Sequence, residues 1–303
     1  MLGKCKQPEK GHSLFLAMID EGCSVNHEAY TALLSAYSRS CLFNKAFSIL
    51  EQMKNSHDCR PDVFTYSILV KSCLEVYDFD RVRDLLSDMA VQGIKLNTIV
   101  YNTLIDAYGK AKRFTEMEST LVQMLRLREC EPDAWTMNST SRAFGGSGQI
   151  DMMEKCYEKF QSAGIEPNIK TFNILLDSYG KTGNYEKMSA VMQYMQKYHF
   201  LWTLVTYNIV IDAFGNAGKI EKIQAVLRYI DNSDVMLDTV FFNCLVDAYG
   251  MMGCYAKTKG VLEMMERGGC KPDKITYRIM LKAYSIGGMT SIAKEFQNRL
   301  ASL

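Results

Sequence analysis

The sequence has few of the residues on which enzymes, secreted proteins and membrane proteins depend. Among its 303 residues are four histidines, five prolines and two tryptophans, and no apolar run approaches the roughly 18 residues of a membrane-spanning helix. Its ten cysteines include no C-x-x-C pair and no regularly spaced histidine partner. That scatter favours reduced, mostly buried thiols over disulfides or a zinc site. The formal net charge is +1, so any affinity for nucleic acid must come from a local surface.

What the sequence does contain is a pair of residues, an aromatic followed by a polar one, that returns about every 35 residues. The pairs are Tyr30-Thr31, Tyr66-Ser67, Tyr101-Asn102, Met137-Asn138, Phe172-Asn173, Tyr207-Asn208, Phe242-Asn243 and Tyr277-Arg278, with methionine in place of the aromatic once. A fixed period of this size is typical of proteins built from stacked repeats. Because the period runs unbroken through the chain, we expect one continuous solenoid.

One repeat, residues 98–133, shows the pattern of two helices. Tyr101, Leu104, Ile105 and Tyr108 have the i, i+3, i+4, i+7 spacing of an amphipathic helix. We call this helix A and the apolar-periodic segment after it helix B. The sequence therefore predicts an all-α fold of antiparallel helix pairs that bury their apolar faces by stacking.

The repeat boundaries follow from this register. We divide the chain into a partial repeat at 1–26, full repeats at 27–62, 63–97, 98–133, 134–168, 169–203, 204–238 and 239–273, and a last, incomplete repeat at 274–303. Residues 1–26 match only the second half of a repeat, so we expect the natural protein to extend further at its N-terminus.

Two further columns of residues predict the packing. A small residue recurs once in each helix A, and these residues predict a seam of closely approaching helices, either between A helices or between A and B. The small residues are Ala36, Ser72, Ala107, Ala143, Ser178, Ala213, Ala248 and Ala283. In helix B a methionine recurs at one position, which indicates a core role.

No catalytic or metal-binding constellation is present. The four histidines fall at unrelated places in the repeats. Two glycine-rich segments, 145–148 and 180–182, lack the strand and the spacing of a phosphate-binding loop and lie at the turn between helix A and helix B. We therefore predict a protein without enzymatic activity, cofactor or metal.

Two polar columns remain as candidates for function. Asparagine follows the aromatic at positions 102, 138, 173, 208 and 243, inside helix A, where its helix propensity is poor. A column of amides spaced by one repeat is a candidate site for recognising a linear polymer. The second column ends each repeat with Asp, Asn or Thr, which are preferred N-cap residues. Capping alone and capping combined with ligand contact both explain it.

These residues resemble a known family. The period, the Tyr-Asn pair, the segment 98–110 (TIVYNTLIDAYGK) and the closing pairs Pro61-Asp62, Pro132-Asp133 and Pro272-Asp273 resemble P-class pentatricopeptide repeats of plant organelles. The related tetratricopeptide family has a period of 34 and a Trp-x-x-Leu-Gly signature, which is absent here. The resemblance implies a right-handed α-solenoid of about eight helix-turn-helix repeats that binds single-stranded RNA, one base per repeat.

In the family, the residue after the aromatic and the last residue of the repeat together contact the base edge. The implied pairs, in order from the 5′ end of the RNA, are Thr31 with Asp62 for guanine, Ser67 with Asn97 for adenine, Asn102 with Asp133 for uracil, Asn138 with Asn168 for cytosine with uracil tolerated, Asn173 with Thr203 for either pyrimidine, and Asn208 with Asp238 and Asn243 with Asp273 for uracil. The implied core is 5′-GAUYYUU-3′, where Y is a pyrimidine.

The resemblance also implies contacts with base faces and phosphates. An aliphatic or aromatic residue two positions before the aromatic stacks on the base, and Phe64, Ile99, Trp135, Val205, Val240 and Ile275 occupy this place. Glu28 and Lys170 depart from the pattern. A cation at the end of helix A faces the phosphates, a position taken by Arg39, Lys110 and Lys181.

The predicted function is sequence-specific RNA binding in the splicing, end protection or translation of organellar transcripts, with other RNA-processing proteins as further partners. The chloroplast stroma is favoured over the mitochondrial matrix, and no membrane association is predicted. A protein-interaction scaffold that holds a peptide or a helix is the alternative. The near-neutral charge favours this alternative, whereas the asparagine column argues against it.

Overall fold

The computed structural model describes residues 8–23, 25–127, 130–231 and 235–301. In these ranges the chain forms seventeen α-helices and no strand, and the all-α prediction is confirmed. The helices are α1 (Pro8–Asp20), α2 (His27–Arg39), α3 (Phe43–Asn55), α4 (Val63–Glu75), α5 (Phe79–Val91), α6 (Thr98–Lys110), α7 (Phe114–Arg126), α8 (Ala134–Gly146), α9 (Ile150–Ser162), α10 (Ile169–Lys181), α11 (Tyr185–Lys197), α12 (Leu204–Asn216), α13 (Ile220–Asp231), α14 (Thr239–Met251), α15 (Tyr255–Arg267), α16 (Lys274–Ile286) and α17 (Thr290–Ala301).

Even-numbered helices correspond to helix A and odd-numbered helices to helix B. Of the predicted partial repeat 1–26, residues 1–7 and 24 lie outside the described residues.

The chain divides into two compact units, one ending at Ala143 and the other beginning at Phe144, so that the division falls inside α8. In the first unit α2 packs on α3 and α4, and α4 packs on α5 and α6. In the second unit α10, α12, α14 and α16 pack in succession, and each also packs on the B helix that follows it. Each unit is therefore a stack of helix pairs that contact their neighbours.

Five of the six methionines at the recurrent position of helix B lie in the core, as the sequence predicts, while the sixth, Met18 of α1, is half-buried. Met53, Met89, Met124, Met195 and Met265 are at most 1% exposed. The cysteines are free thiols wherever the structure describes them, four buried, three half-buried and two exposed. The expected burial of the thiols is thus only partly right, while Cys5 lies outside the described residues.

The column of small residues forms a seam between successive A helices, which resolves the choice that the sequence leaves open. A Cβ on Gly215 of α12 would lie 2.5 Å from the Ala248 Cβ of α14, closer than any two such atoms approach. Gly250 and Ala283 repeat this arrangement between α14 and α16, with a corresponding distance of 2.6 Å. Glycine and alanine are needed here because the two backbones touch.

The turn from helix A to helix B uses one residue in the left-handed region, with φ between 57° and 74°. These residues are Cys41, Tyr77, Lys112, Gly148, Gly183, Gly218, Gly253 and Gly288. The glycine-rich segment 145–148 thus ends a helix and forms this turn, as its position in the repeat predicts.

Candidate functional site

The residues that end the predicted repeats are all helix N-caps. The side-chain oxygen of each accepts a hydrogen bond of 2.8 to 3.3 Å from the backbone N–H of the third residue of the next helix A. The capping residues are Asn26, Asp62, Asn97, Asp133, Asn168, Thr203, Asp238 and Asp273. Capping is confirmed, and the additional ligand contact stays a prediction.

Next to the caps, one face of helix A carries exposed apolar side chains. The six predicted stacking residues are between 47% and 71% exposed, whereas the residue two positions after each, an aromatic or Met137, is buried or, for Tyr277, half-buried. The exposed residues are Phe64, Ile99, Trp135, Val205, Val240 and Ile275. Single exposed apolar residues are common, but the same position exposed in six repeats indicates a contact surface.

The predicted base-contacting asparagines lie beside this apolar column, partly covered by the following repeat. The Oδ1 atoms of Asn102, Asn173 and Asn243 accept hydrogen bonds of 2.7, 2.8 and 2.6 Å from a threonine hydroxyl of the next helix A. The Asn243 Nδ2 also lies 3.4 Å from the Asp273 Oδ1. The structure therefore joins the two polar columns at this repeat directly.

The remaining positions of the column differ from these three. The Oδ1 atoms of Asn138 and Asn208 are buried without a hydrogen-bond partner. Thr31 and Ser67 donate instead to the carbonyls of His27 and Val63, at 2.9 and 2.5 Å, within their own helices.

In the first unit, one cavity of about 780 Å³ is lined by predicted base-contacting, stacking and phosphate-contacting residues. Among its lining residues are Thr31, Ser67, Asp62, Asn97, Phe64 and Arg39. The structure thus brings together the first two predicted base-contacting pairs, a stacking residue and a predicted phosphate contact. A cavity with apolar walls and a few convergent polar groups is typical of a ligand site.

The two predicted phosphate-binding lysines have acidic neighbours on the same helix face. Lys110 Nζ lies 2.6 Å from an Asp106 carboxylate oxygen, and Lys181 Nζ lies 2.6 Å from an Asp177 carboxylate oxygen. Both lysine side chains are 63% exposed, and exposed ion pairs of this kind contribute little free energy. The ammonium groups therefore remain accessible to an anion.

The pKa values of two carboxylates, Asp273 and Asp212, are shifted in opposite directions. Burial opposes ionisation of Asp273, but hydrogen bonds, chiefly from the Thr276 backbone N–H, outweigh it and hold the pKa of this carboxyl below its usual range. In α12, partial burial raises the pKa of Asp212, and the nearby Asp247 carboxylate raises it further. Asp106, Asp177, Asp212 and Asp247 occupy equivalent positions of α6, α10, α12 and α14, whereas α8 carries Arg142 there. The sequence reasoning missed this regularity.

The sequence reasoning also missed a recurrent threonine. It is the third residue of helix A, three positions after the N-cap, at positions 65, 136, 171, 206 and 276. The N-cap-x-x-Thr spacing was visible in the sequence. Its meaning depends on the neighbouring repeat, which spacing along one repeat does not show.

Over the described residues, no three His, Cys, Asp or Glu side chains are grouped closely enough to hold a metal ion. None of the helices described is long and apolar enough to cross a membrane.

The chain matches three family profiles. Residues 25–75 and 237–285 match the profile described as PPR repeat family, residues 155–217 match Pentatricopeptide repeat domain, and residues 99–128 and 205–235 match PPR repeat. The matches fall in both compact units.

Relatives in Arabidopsis thaliana carry the same repeats. A chloroplastic pentatricopeptide repeat-containing protein is 73% identical over 166 residues, which is 55% of this chain and 33% of the relative. Another chloroplastic one is 40% identical over 166 residues, covering 55% of this chain and 34% of the relative. The chain spans about a third of the length of these relatives.

Solved structures show the same fold. The pentatricopeptide repeat protein PPR10 in complex with an 18-nt psaJ RNA element aligns over 99% of this chain and 43% of its own, with a TM-score of 0.78 and 22% identity. PPR10 from maize aligns over 99% of this chain and 47% of its own, with a TM-score of 0.62 and 23% identity. This likeness confirms the predicted α-solenoid fold.

Proposed function

Because the chain belongs to the pentatricopeptide repeat family, we propose that it binds single-stranded RNA, one base per repeat, without catalysing a reaction. The observation that carries the proposal is the column of six exposed apolar side chains between the amide column and the N-cap column. Unpaired bases stack on exposed side chains and are distinguished by hydrogen bonds at their edges. The two kinds of column supply both interactions at the five repeats 63–97, 98–133, 134–168, 204–238 and 239–273, whereas Glu28 and Lys170 occupy the stacking position of repeats 27–62 and 169–203.

The proposed unit of recognition is one predicted repeat, with the boundaries given above. Its base contacts come from the residue after the aromatic and from the N-cap of the following helix A. The Thr31 and Asp62 pair suits guanine, because a carboxylate accepts from the N1 and N2 hydrogens while a short hydroxyl leaves room for a purine. Asparagine with aspartate suits uracil, and the seven pairs together specify 5′-GAUYYUU-3′.

Phosphate contacts add affinity that does not depend on sequence. Lys110 and Lys181 are exposed, and Arg39 lines the cavity of the first unit. Three cations against a net charge of +1 give modest electrostatic attraction, so we infer that base contacts dominate selectivity. Each phosphate contact contributes a slope of roughly 0.7 in log affinity against log salt on a single strand.

The cellular setting is proposed from the relatives. Two similar Arabidopsis proteins are chloroplastic, so we propose the chloroplast stroma as the compartment. There the bound protein would cover a stretch of transcript, which blocks exonucleases or prevents that stretch from pairing. Splicing, end protection and translation all use this effect, and other RNA-processing proteins would join the complex.

The test compares two RNAs and two proteins. We expect the wild type to bind GAUCCUU more tightly than UAUCCUU, by a factor near ten, since a mismatch at a specific site costs on the order of 1 kcal/mol or more. Thr31→Asn replaces the guanine pair by a uracil pair, so the preference should shift toward UAUCCUU.

Unchanged preference in a folded Thr31→Asn protein would show that the residue after the aromatic does not contact the base. Absence of binding to a random pool of single-stranded RNA would instead favour the protein-interaction scaffold.

A further inference from the structure

The third residue of helix A places a hydroxyl between the two polar columns. The Thr276 Oγ1 lies 2.6 Å from the Asn243 Oδ1 of the preceding repeat and 2.9 Å from the Asp273 Oδ1 of its own cap. It also accepts a hydrogen bond of 3.1 Å from the Asp273 backbone N–H. A hydroxyl has one proton to donate, and the asparagine oxygen is the closer acceptor.

The same contact is present at two further repeats. Thr136 Oγ1 is 2.7 Å from the Asn102 Oδ1 and 3.0 Å from its cap oxygen on Asp133. Thr206 Oγ1 is 2.8 Å from the Asn173 Oδ1 and 3.1 Å from the hydroxyl of its cap, Thr203. In each case the side chain of the threonine is buried, so water does not compete for its proton.

This contact fixes which end of the amide is available to a ligand. An asparagine amide can rotate by half a turn and exchange its acceptor oxygen for its donor nitrogen. After such a rotation the Nδ2 would have to donate to the threonine oxygen, which already accepts a hydrogen bond from the backbone N–H of the cap. At Asn243 the rotation would also turn Oδ1 toward the Asp273 carboxylate oxygen that Nδ2 now faces at 3.4 Å, and two acceptors in contact are unfavourable. The amide therefore presents its N–H groups, and at Asn243 one of these already faces the Asp273 Oδ1.

A fixed donor distinguishes the two pyrimidines. Uracil carries an acceptor oxygen at C4, where cytosine carries an amino donor. An amide held with Nδ2 toward the base matches uracil and opposes cytosine, whereas a rotating amide can satisfy either base.

The chain contains a natural comparison for this effect. Asn208 occupies the same position in α12 as Asn243 does in α14, but the third residue of the helix after it is Phe241, which has no hydroxyl. The Asn208 Oδ1 is buried and has no hydrogen-bond partner. The amide of Asn208 accordingly lacks the contact that holds Asn102, Asn173 and Asn243.

We propose that Thr136 and Thr276, which follow aspartate caps, are positioning residues that set uracil over cytosine selectivity by orienting the asparagine amide of the preceding repeat. Thr206 makes the same contact with Asn173, but its cap is Thr203, which has no carboxylate to hold the Nδ2, and the pair at this repeat is the one assigned to either pyrimidine. The proposal rests on the proposed RNA binding. It adds a third residue, belonging to the helix of the next repeat, to the pair that contacts each base.

The test measures the ratio of Kd values for RNAs that differ only in one pyrimidine. GAUCCUU against GAUCCUC reports on Asn243, and GAUCCUU against GAUCCCU reports on Asn208. In the wild type the uracil preference should be about five-fold larger at the last base than at the sixth, the factor expected from one hydrogen bond. Thr276→Val should remove this excess, and Thr276→Ser, which keeps the hydroxyl, should retain it.

Two further variants separate orientation from folding. Phe241→Thr should raise the uracil preference at the sixth base, a gain that a damaged helix would not produce. Thr65→Val is the matched control, because the Thr65 backbone N–H and hydroxyl both contact the Asp62 cap, as those of Thr276 contact Asp273, but Thr65 follows Thr31 rather than an amide. It should lower stability without changing the ratio for any pyrimidine.

Equal ratios in wild type, Thr276→Val and Phe241→Thr would overturn the proposal while leaving RNA binding intact. An NMR measurement on the protein alone tests the proposed amide orientation even if the protein binds no RNA. Rotation of the side-chain amide of Asn243, followed by exchange between its two hydrogens in NMR spectra, should be slower than that of Asn208. Equal rotation rates would contradict the proposal independently of the proposed function.

Discussion

At the scale of single residues, the N-cap aspartates combine two roles in one carboxylate. The Asp273 Oδ1 accepts from the Thr276 backbone N–H at 2.8 Å, lies 2.9 Å from the Thr276 hydroxyl oxygen, and faces the Asn243 Nδ2. The first contact starts a helix, and the last joins the cap to the proposed base-contacting amide. Sequence reasoning predicted the cap from the residue type alone.

The two roles of Asp273 should separate on substitution. Asp273→Asn keeps an oxygen for the cap, so the free energy of unfolding at pH 7 should change little, whereas Asp273→Ala should lose about 1 kcal/mol. Both variants should alter the preference at the last base, and Asp273→Asn should move it from uracil toward cytosine. Chemical denaturation and the GAUCCUU and GAUCCUC pair measure the two effects.

The pH dependence of the free energy of unfolding tests whether the ionised Asp273 carboxylate stabilises the fold. The pKa of Asp273 is lowered in the folded protein, so its stabilisation is present above the ordinary aspartate pKa of about 4 and is lost as the pH falls through the lower, folded pKa. Acidification below about pH 4 should therefore destabilise the wild type more than Asp273→Asn. Identical losses would contradict the assignment.

Other features at this scale could not be predicted. The caps follow from residue type and position in one repeat, and the stacking column was implied by the family resemblance. The orientation of Asn243 depends on a hydroxyl 33 residues away. The oxygens of Asn138 and Asn208 have no partner, although the matching residue of the next helix A is a threonine, Thr171, after the first and a phenylalanine, Phe241, after the second. Such contacts are set by how repeats stack, which the pattern of one repeat does not contain.

At the scale of helices, the seam between A helices depends on backbones in contact. The sequence located the small residues but left open which helices they bring together, because spacing alone does not show the partner. Gly215 against Ala248 and Gly250 against Ala283 answer the question within the second unit. The seam sets the rise from one helix A to the next, and with it the spacing of successive base-contacting positions.

Adding one methyl group to this seam should be costly. In Gly215→Ala the new Cβ would lie 2.5 Å from the Ala248 Cβ and 2.9 Å from its backbone Cα, so the helices must separate. We expect a loss of about 1 to 3 kcal/mol in the free energy of unfolding, the usual cost of overpacking. Urea unfolding followed by circular dichroism measures it.

Gly260→Ala is the control for helix propensity. Gly260 lies inside α15, and a Cβ there would meet no atom within 4 Å. This substitution should stabilise the protein by up to about 1 kcal/mol, because alanine is the better helix former. Stabilisation by both substitutions would show that the seam is not tightly packed.

At the scale of the whole molecule, the repeat architecture was predictable because every repeat obeys the same pattern, and each predicted full repeat contains one A helix and one B helix. The division of the chain at Ala143 and Phe144 was not predictable, since the period continues across it without change. The acidic positions 177, 212 and 247 on the face that carries the asparagines in the second unit also went unnoticed. They limit phosphate attraction there and leave selectivity to the bases.

Because each helix pair contacts only its neighbours, removing residues 239–303 should leave a folded protein. This truncation removes the helices from α14 to α17 and exposes one interface, on α12, while the contacts of α10 with α11 and α12 stay intact. Stability in stacked repeats is close to a sum of repeat and interface terms, so circular dichroism should show helix in proportion to the remaining length. The preference at the first base, set by Thr31 and Asp62, should persist, and the preference at the last base should disappear with Asn243.

A truncation after residue 252 is the matched comparison, because it keeps α14 but removes α15, which packs on it. It also removes α16, which packs on α14 as well. Leu245, Val246 and Tyr249 of α14 are each at most 4% exposed in the intact protein, and the helix would lose much of its cover. This longer protein should therefore be less soluble than the one ending at residue 238, even though it has lost fewer residues. The contrary result would be a protein ending at residue 238 that is wholly unstructured, or that has lost selectivity at the first base as well as at the last. The repeats would then fold and bind as one cooperative unit.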